Sequence, residues 1–166
     1  MRSTKSRRSG VKTGTMTMGA RVFADTNIVL RAFHDDLTEH ERVRALFDRL
    51  IAEDAQIYIN RQVIREYLVQ ATHPRTFVEP LPIDSLTQHL RQIMRVCTVL
   101  DETERVTEQL ITLISEHPTR GKQIHDANIV ATMLVYEIDT LLTLNVDDLK
   151  RFGDKIKIVS LEEGTS

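Results

Sequence analysis

The acidic residues that could bind a divalent cation are far apart in the sequence. Asp25 directly follows the apolar run 22–24, Asp126 opens a strongly apolar segment, and an Asp-Asp pair occupies positions 147–148 after a further apolar run. Glu66 lies about two turns into a predicted helix, from which its long side chain could reach back over a sheet. Carboxylate oxygens are the hard ligands that Mg²⁺ or Mn²⁺ requires. The combination indicates a metal site.

Each acid taken alone also has an ordinary structural interpretation. Asp25 could be simply the N-cap of the helix that starts at Thr26. Asp126 could be simply a first-turn residue that the dipole of its helix favours. Glu66 has Gln62 and Gln70 at its i−4 and i+4 positions, so no helical ion pair accounts for it. The metal-site hypothesis therefore depends on all the acids meeting at one place.

The elements that must position these acids follow a regular pattern. Short apolar runs alternate with amphipathic helical segments, which predicts parallel strands in a three-layer α/β sandwich with a central, mostly parallel five-stranded sheet. In such a sheet, ligands bind beyond the carboxyl ends of the strands, which is where most of these acids fall. The predicted strands are 22–24, 57–59, 97–100, 140–144 and 156–159.

Capping residues mark two of the predicted helix starts. Thr38, with Glu41 three residues later, predicts a capping box at the start of the second helix. Asn60 predicts the N-cap of a helix that continues through Ala71.

Length and composition are those of a single water-soluble domain: 166 residues, 41% hydrophobic and 28% charged. Residues 1–19 contain five basic and no acidic residues and lack apolar periodicity, so we predict a disordered basic tail followed by a folded domain at 20–162. No apolar run approaches the roughly 20 residues that span a bilayer. The one cysteine, Cys97, cannot form an internal disulfide. These features predict a cytoplasmic protein.

The predicted folded part is acidic, since 17 basic residues stand against 24 acidic ones once the tail is set aside. This balance argues against binding nucleic acid through a broad basic surface. It suits a protein whose carboxylates surround a divalent cation, because the ion reverses the local charge.

Four short motifs, in order, resemble those of the PIN-domain nucleases. Asp25-Thr26-Asn27 after a strand is similar to the family's opening motif, and the run 63–66 resembles the helix that bears its second acid. The run 125–127 resembles its third-acid motif, and 142–149 its final motif. Each motif alone is weak, but together they span roughly residues 20–160, and the chain length is similar to that of single-domain toxins of the VapC type.

This resemblance implies a Mg²⁺- or Mn²⁺-dependent endoribonuclease that hydrolyses RNA phosphodiester bonds. It implies catalytic, metal-binding roles for the acids and supporting hydrogen bonds from neighbouring polar residues. The implied metal ligands are Asp25, Glu66, Asp126 and Asp148, and the implied supporting residues are Thr26, Asn27, Thr143 and Asn145. Candidate phosphate contacts are Arg61, Arg65, Arg120, Lys122, His125 and Lys150.

The final motif departs from the family pattern at one position. Many members have Asp two residues after the threonine, whereas this chain has Asn145 there and Asp148 three residues further on. Either residue could complete the acidic site, so the fourth ligand stays open.

Partners and alternatives follow from the same resemblance. A VapC-type toxin implies a small antitoxin protein and a homodimer. The alternatives are a PIN-fold interaction module with weak or no catalysis, favoured by Asn145, and an RNA-processing nuclease that is not a toxin. A phosphotransferase using an aspartyl nucleophile is disfavoured, since Asp25 is followed by Thr, Asn and Ile rather than by a second nearby Asp.

Overall fold

A computed structural model describes residues 19–161, with one five-stranded sheet at its centre. The strands lie in the order β3-β2-β1-β4-β5, and every neighbouring pair is parallel. The predicted α/β sandwich is confirmed, and the sheet is wholly rather than mostly parallel. The strands are β1 Arg21–Ala24, β2 Gln56–Asn60, β3 Thr98–Leu100, β4 Thr140–Leu142 and β5 Lys157–Val159.

Helices connect and flank these strands. Helix α1 packs against both α2 and α3, and α5 packs along α6. The helices are α1 Thr26–Phe33, α2 His40–Ala52, α3 Arg61–Ala71, α4 Ile83–Val96, α5 Glu104–Glu116, α6 Gln123–Val135 and α7 Val146–Leu149, followed by a 3₁₀ turn at Lys150–Phe152.

The inner strands are apolar because helices cover both of their faces. Phe23, Ile59 and Leu141 are completely buried, and side chains pointing to either face of a covered parallel strand meet protein rather than water. In the register of the sheet, Val22 lies opposite Ile57 on one side and Thr140 on the other.

The sheet has a switch point at its centre. From β1 the chain passes to β2 and β3 on one side, and the later strands β4 and β5 add to the other side. The connections leaving β1 and β4 therefore diverge at the carboxyl end of the sheet, which opens a crevice there. Asp25 follows β1, and Thr143 follows β4, at this crevice.

One capping prediction is confirmed and the other is wrong. The Asn60 side chain accepts a hydrogen bond from the Val63 N–H at 3.0 Å and caps α3. Helix α2 begins at His40 rather than after Thr38, and its N-cap is Glu39, whose backbone is left-handed at φ 70°. The His40 N–H bonds to the Leu37 carbonyl, so a tight turn takes the place of the predicted capping box.

Most of the predicted basic tail, residues 1–18, and the last residue of the predicted domain, 162, lie outside the described residues. Within residues 19–161, no helix is long and apolar enough to cross a membrane.

Candidate active site

Asp25 is the buried centre of the candidate site, with only 7% of its surface exposed. It is the N-cap of α1, where one carboxylate oxygen accepts the Thr26 N–H at 2.7 Å. Burial raises the pKa of Asp25, and the negative charge of Glu66 adds to the rise. Hydrogen bonds from Thr143, Thr26 and Asn27 oppose the rise because they stabilise the ionised form.

Two polar side chains fix the other Asp25 oxygen from both sides of the switch point. The Thr143 hydroxyl donates to Asp25 Oδ2 at 2.7 Å, and Asn27 Nδ2 donates to it at 3.0 Å. Asn27 also accepts the Leu144 N–H at 3.1 Å, and the Asn145 N–H donates to the Thr143 hydroxyl at 3.0 Å. These bonds hold the loop after β4 against the start of α1.

Glu66 reaches the same crevice from α3. The Thr26 hydroxyl donates to Glu66 Oε2 at 2.7 Å, and Gln62 Nε2 donates to Oε1 at 2.9 Å. Its side chain is 30% exposed, so it can still reach solvent. Thr26 therefore links the two acids directly, since its N–H binds Asp25 and its hydroxyl binds Glu66.

Asp126 lies in the first turn of α6 and is partly buried. Its pKa is raised to about 6, first by burial and then by the negative charges of Asp25, Asp148 and Glu66, while the charge of Arg151 opposes the rise. Carboxylates raise one another's pKa in this way only when they are near enough to repel. The structure therefore brings together the four acids that the sequence singled out.

The two adjacent aspartates after β4 have different surroundings. Asp147 is 93% exposed and forms an ion pair with Lys150 at 3.2 Å. Asp148, in contrast, lies near enough to Asp126 for its negative charge to raise the pKa of Asp126. The side chain of Asn145 is exposed, and its recorded contact with the site is made by its backbone N–H. Asp148 is therefore the better candidate for the fourth acidic position.

Gln62 is a further site residue, which the sequence motifs did not predict; it is 4% exposed and connects α3 to α6. Its amide nitrogen donates to Glu66 and to the His125 carbonyl, at 2.9 and 3.0 Å, and its amide oxygen accepts from Asn128 at 2.7 Å. In the sequence, Gln62 stands out only as an uncharged residue four positions before Glu66, with which it cannot form an ion pair. Its spacing four residues before an acid was the available signal, and its partners on α6 were not visible in the sequence.

Several of the candidate phosphate contacts are already engaged with carboxylates. Arg61 pairs with Asp101 at 2.9 Å, and Arg65 pairs with Glu102 at 3.2 Å. His125 Nδ1 lies 3.7 Å from Glu66 Oε1. Because the side chains of Arg61 and Arg65 are largely exposed, their ion pairs are weak, and both guanidinium groups stay available to a phosphate.

The donor set is chemically suited to a hard divalent ion. Four carboxylates converge, and within residues 19–161 neither Asp126 nor Asp148 accepts a side-chain hydrogen bond, which leaves their oxygens available. In the same region, no three acidic, histidine or cysteine side chains are placed to hold an ion together. These residues therefore fit an ion that keeps much of its water and is held partly through it, as Mg²⁺ commonly is.

Comparison with known families gives the fold and this arrangement of acids a context. The model of the PIN domain family matches residues 22–155, which is most of the chain and includes all four acids. The chain belongs to the PIN domain family. The expectation drawn from its four short motifs is thereby confirmed.

Individual relatives are similar to this chain over nearly their whole length. Ribonuclease VapC48 of Mycobacterium tuberculosis is 25% identical over 142 residues, which cover 80% of this chain and 93% of the relative. The DNA-bound VapBC structure from Salmonella typhimurium matches with a TM-score of 0.65 at 15% identity, covering 86% of this chain and 98% of that one. A toxin–antitoxin complex from Klebsiella pneumoniae matches with a TM-score of 0.59 at 20% identity, covering 84% and 97%. At these identities the two structures support the fold alone.

Proposed function

We propose that this PIN-domain protein is a Mg²⁺-dependent endoribonuclease, with Mn²⁺ as an alternative ion, and the toxin of a toxin–antitoxin pair. The observation that carries the proposal is the convergence of four carboxylates, from distant parts of the chain, at the switch point of the sheet. The similarity to a protein named as a ribonuclease supports RNA as the substrate.

The residues divide into ion-holding and supporting roles. Asp25 and Asp126 are the principal ligands, directly or through water, and Glu66 and Asp148 complete the acidic ring and orient the attacking water. The hydrogen bonds to Asp25 and Glu66 hold those carboxylates in fixed directions, which reduces the reorganisation that binding an ion requires. The supporting residues are Thr26, Asn27, Thr143 and Asn145.

When bound, the ion lowers the pKa of a coordinated water, polarises the scissile phosphate and stabilises charge on the leaving oxygen. The protein's own contribution is to keep several negative charges together at a place where an RNA phosphate must also approach. Without a cation these charges repel the phosphate, so we expect cleavage to require the metal.

The test is cleavage of a structured RNA by the purified full-length chain, with Mg²⁺, with Mn²⁺ and with a chelator. We expect cleavage with either ion, none with the chelator, and none by Asp25→Asn or Asp126→Asn. Glu108→Gln is the matched control, since it removes a carboxylate from α5 that lines a different depression, beside Leu134 and Val135 at the end of α6. Circular dichroism must show that every variant is folded.

Asn145 favours a second candidate, an interaction module of the same fold with weak or no catalysis. Absence of cleavage by the folded wild-type chain under every metal condition would support the module. If the wild-type chain cleaves RNA in vitro but its expression does not inhibit cell growth, the result would instead support an RNA-processing nuclease.

The proposed partners are an antitoxin and a second copy of the chain. The antitoxin is proposed by analogy with a toxin–antitoxin complex that contains the same fold. The test of the antitoxin is co-expression with the protein encoded immediately upstream. We expect the two proteins to co-purify and the complex not to cleave RNA. Light scattering of the purified chain tests the homodimer. A cytoplasmic location stays a prediction.

A further inference from the structure

A groove of about 500 Å³ opens beside the candidate active site, between α3, α5 and α6. It shares Glu66, Gln62 and His125 with that site, so the two form one continuous depression. None of the proposed catalytic roles uses the rest of the groove, which extends away from the carboxylates.

One wall of the groove is a single stripe along α3. Its residues are spaced i, i+3, i+4, i+7 and i+8, the spacing that places side chains on one face of a helix. The residues of this stripe are Gln62, Arg65, Glu66, Val69 and Gln70. From Glu66 to Gln70 the helix rises by about 6 Å, so the groove continues for roughly one helical turn beyond the acid.

The groove combines apolar surface with a few polar groups. Val69, Leu110 and Ile124 supply aliphatic surface. The side chain of Val69 is unusually open for an aliphatic residue, at 62% exposed. Arg65 and His125 bring positive charge or hydrogen-bond donors to the groove, with side chains 63% and 64% exposed. Such a mixture is typical of a site for a flat, partly polar ligand.

The geometry limits what can lie in this groove during RNA cleavage. A phosphate held among the carboxylates carries a nucleotide on each side, and each must rest on a surface that adjoins the site. The groove adjoins Glu66, and its rim carries Arg65, whose charge complements the RNA backbone in a protein that is otherwise acidic, and His125, which can form a hydrogen bond with that backbone. Its aliphatic walls can contact a base face, and the amides of Gln70 and Asn128 can bond to a base edge.

We propose that this groove binds the nucleobase next to the scissile phosphate and so contributes to the choice of RNA sequence. The proposal rests on the proposed ribonuclease function, since it assigns a second part of the same substrate. A protein segment or a second copy of the chain are the competing occupants that the test must separate.

The test uses methyl-labelled full-length Asp25→Asn protein in Mg²⁺, so that RNA binds without being cut. Single-stranded oligo(A), oligo(C) and oligo(U) are titrated, and the Ile, Leu and Val methyl signals are followed by NMR. We expect saturable shifts at Val69, Leu110 and Ile124, stronger for one base than for the others. Ile111 is the internal reference, because it is 50% exposed on α5 and does not line the groove.

The possible outcomes separate this proposal from the proposed function. Shifts around Asp126 without shifts in the groove would overturn the base site and leave the nuclease standing. No shifts anywhere, together with no cleavage by wild type, would overturn both. Groove signals that respond to protein concentration rather than to RNA would identify a self-association surface and overturn the base site.

A pair of variants gives an independent measurement on the active enzyme. Val69→Glu places a carboxylate in the groove, and Ile111→Glu places one on the exposed face of α5. We expect Val69→Glu to raise the KM for RNA about tenfold with little change in kcat, and Ile111→Glu to change KM less than about twofold. Equal KM values for the two variants would contradict the proposal. Thermal unfolding of both checks that they fold.

Discussion

At the scale of single residues, the site depends on short polar side chains that hold acids in place. Asp25 would be an expensive buried charge without its three donors, since desolvation of a carboxylate disfavours ionisation. The donors are Thr26, Asn27 and Thr143, and two of these lie within two residues of Asp25. The motif Asp-Thr-Asn is therefore a compact unit of one acid and its supports.

Thr143→Val tests this dependence, because it removes the hydroxyl from Asp25 Oδ2 and keeps the shape of the side chain. We expect cleavage to fall by about 10- to 100-fold, with a folded protein and a weaker response to Mg²⁺. Thr140→Val is the control, since among residues 19–161 its hydroxyl donates a hydrogen bond only to the carboxylate of the preceding residue, Asp139. Equal rates for the two variants would show that the hydroxyl is not needed. The measurement is kcat/KM as a function of Mg²⁺ concentration.

Asp126→Asn tests the repulsion among the acids. Because the pKa of Asp126 is raised from 3.8 to about 6, ionising this carboxyl near neutral pH costs more free energy in the fold than in the unfolded chain. We expect the neutral amide to increase the free energy of unfolding by about 1–2 kcal/mol in a metal-free buffer near neutral pH, while cleavage is lost. Urea denaturation measures the change. A less stable variant would indicate that Asp126 makes a favourable contact in the absence of metal.

At the scale of elements, Gln62 sets the spacing between α3 and α6, and with it the spacing of Glu66 and Asp126. We expect Gln62→Met to lower kcat and Mg²⁺ affinity, and to cost about 1–3 kcal/mol of stability because the groups it bonds lose their partner. Gln88→Met on the exposed face of α4 is the control. Calorimetric titration of Mg²⁺ separates loss of ion affinity from loss of stability alone. An unchanged affinity would assign Gln62 a purely structural role.

A second element-scale contact involves the end of α1. His34 is 5% exposed, bonds to the Tyr67 hydroxyl at 2.8 Å and packs on the ring of Phe77. The pKa of His34 is lowered to about 4, first by burial and then by its neighbours His89 and His40, while the charges of Asp35 and Asp36 oppose the shift. The folded state therefore prefers neutral His34, and the unfolded chain takes up its proton first as the pH falls.

This difference predicts acid sensitivity between pH 6.5 and about 4. Stability from neutral His34 is present above the unfolded pKa of about 6.5 and is lost as pH falls towards 4, by about 2–3 kcal/mol. His34→Gln should lose less stability over this interval than wild type, and His73→Gln, which is exposed, should behave like wild type. Urea denaturation at several pH values gives the comparison. Identical pH slopes for His34→Gln and wild type would contradict the prediction.

Some of the helices and strands could be predicted from the sequence alone, and others could not. The strands were predictable because each is a short apolar run, and the cap at Asn60 was predictable because it depends on the residue itself. The start of α2 was not, because the turn between Leu37 and His40 depends on backbone geometry that Thr38 and Glu41 do not determine. Gln62 was not predictable because its partner His125 lies 63 positions away.

At the scale of the whole molecule, the acids destabilise the fold until a cation joins them. We therefore expect Mg²⁺ to raise the Tm of wild type, with a gain of about 2.7 kcal/mol at about a hundred times its dissociation constant. Asp25→Asn and Asp126→Asn should lose most of this gain, and Glu108→Gln should keep it. Differential scanning fluorimetry measures the shift. An equal gain in all four proteins would mean that the ion binds elsewhere.

The hydrogen bond between Asp25 and Thr143 joins residues 118 positions apart. Most of the chain must therefore be synthesised before Thr143 can donate its hydrogen bond to Asp25, and β4 must then pair with β1. If the crevice cuts RNA as proposed, a nascent chain that ends before Thr143 lacks part of the support of Asp25, so we expect cleavage activity to appear late in synthesis.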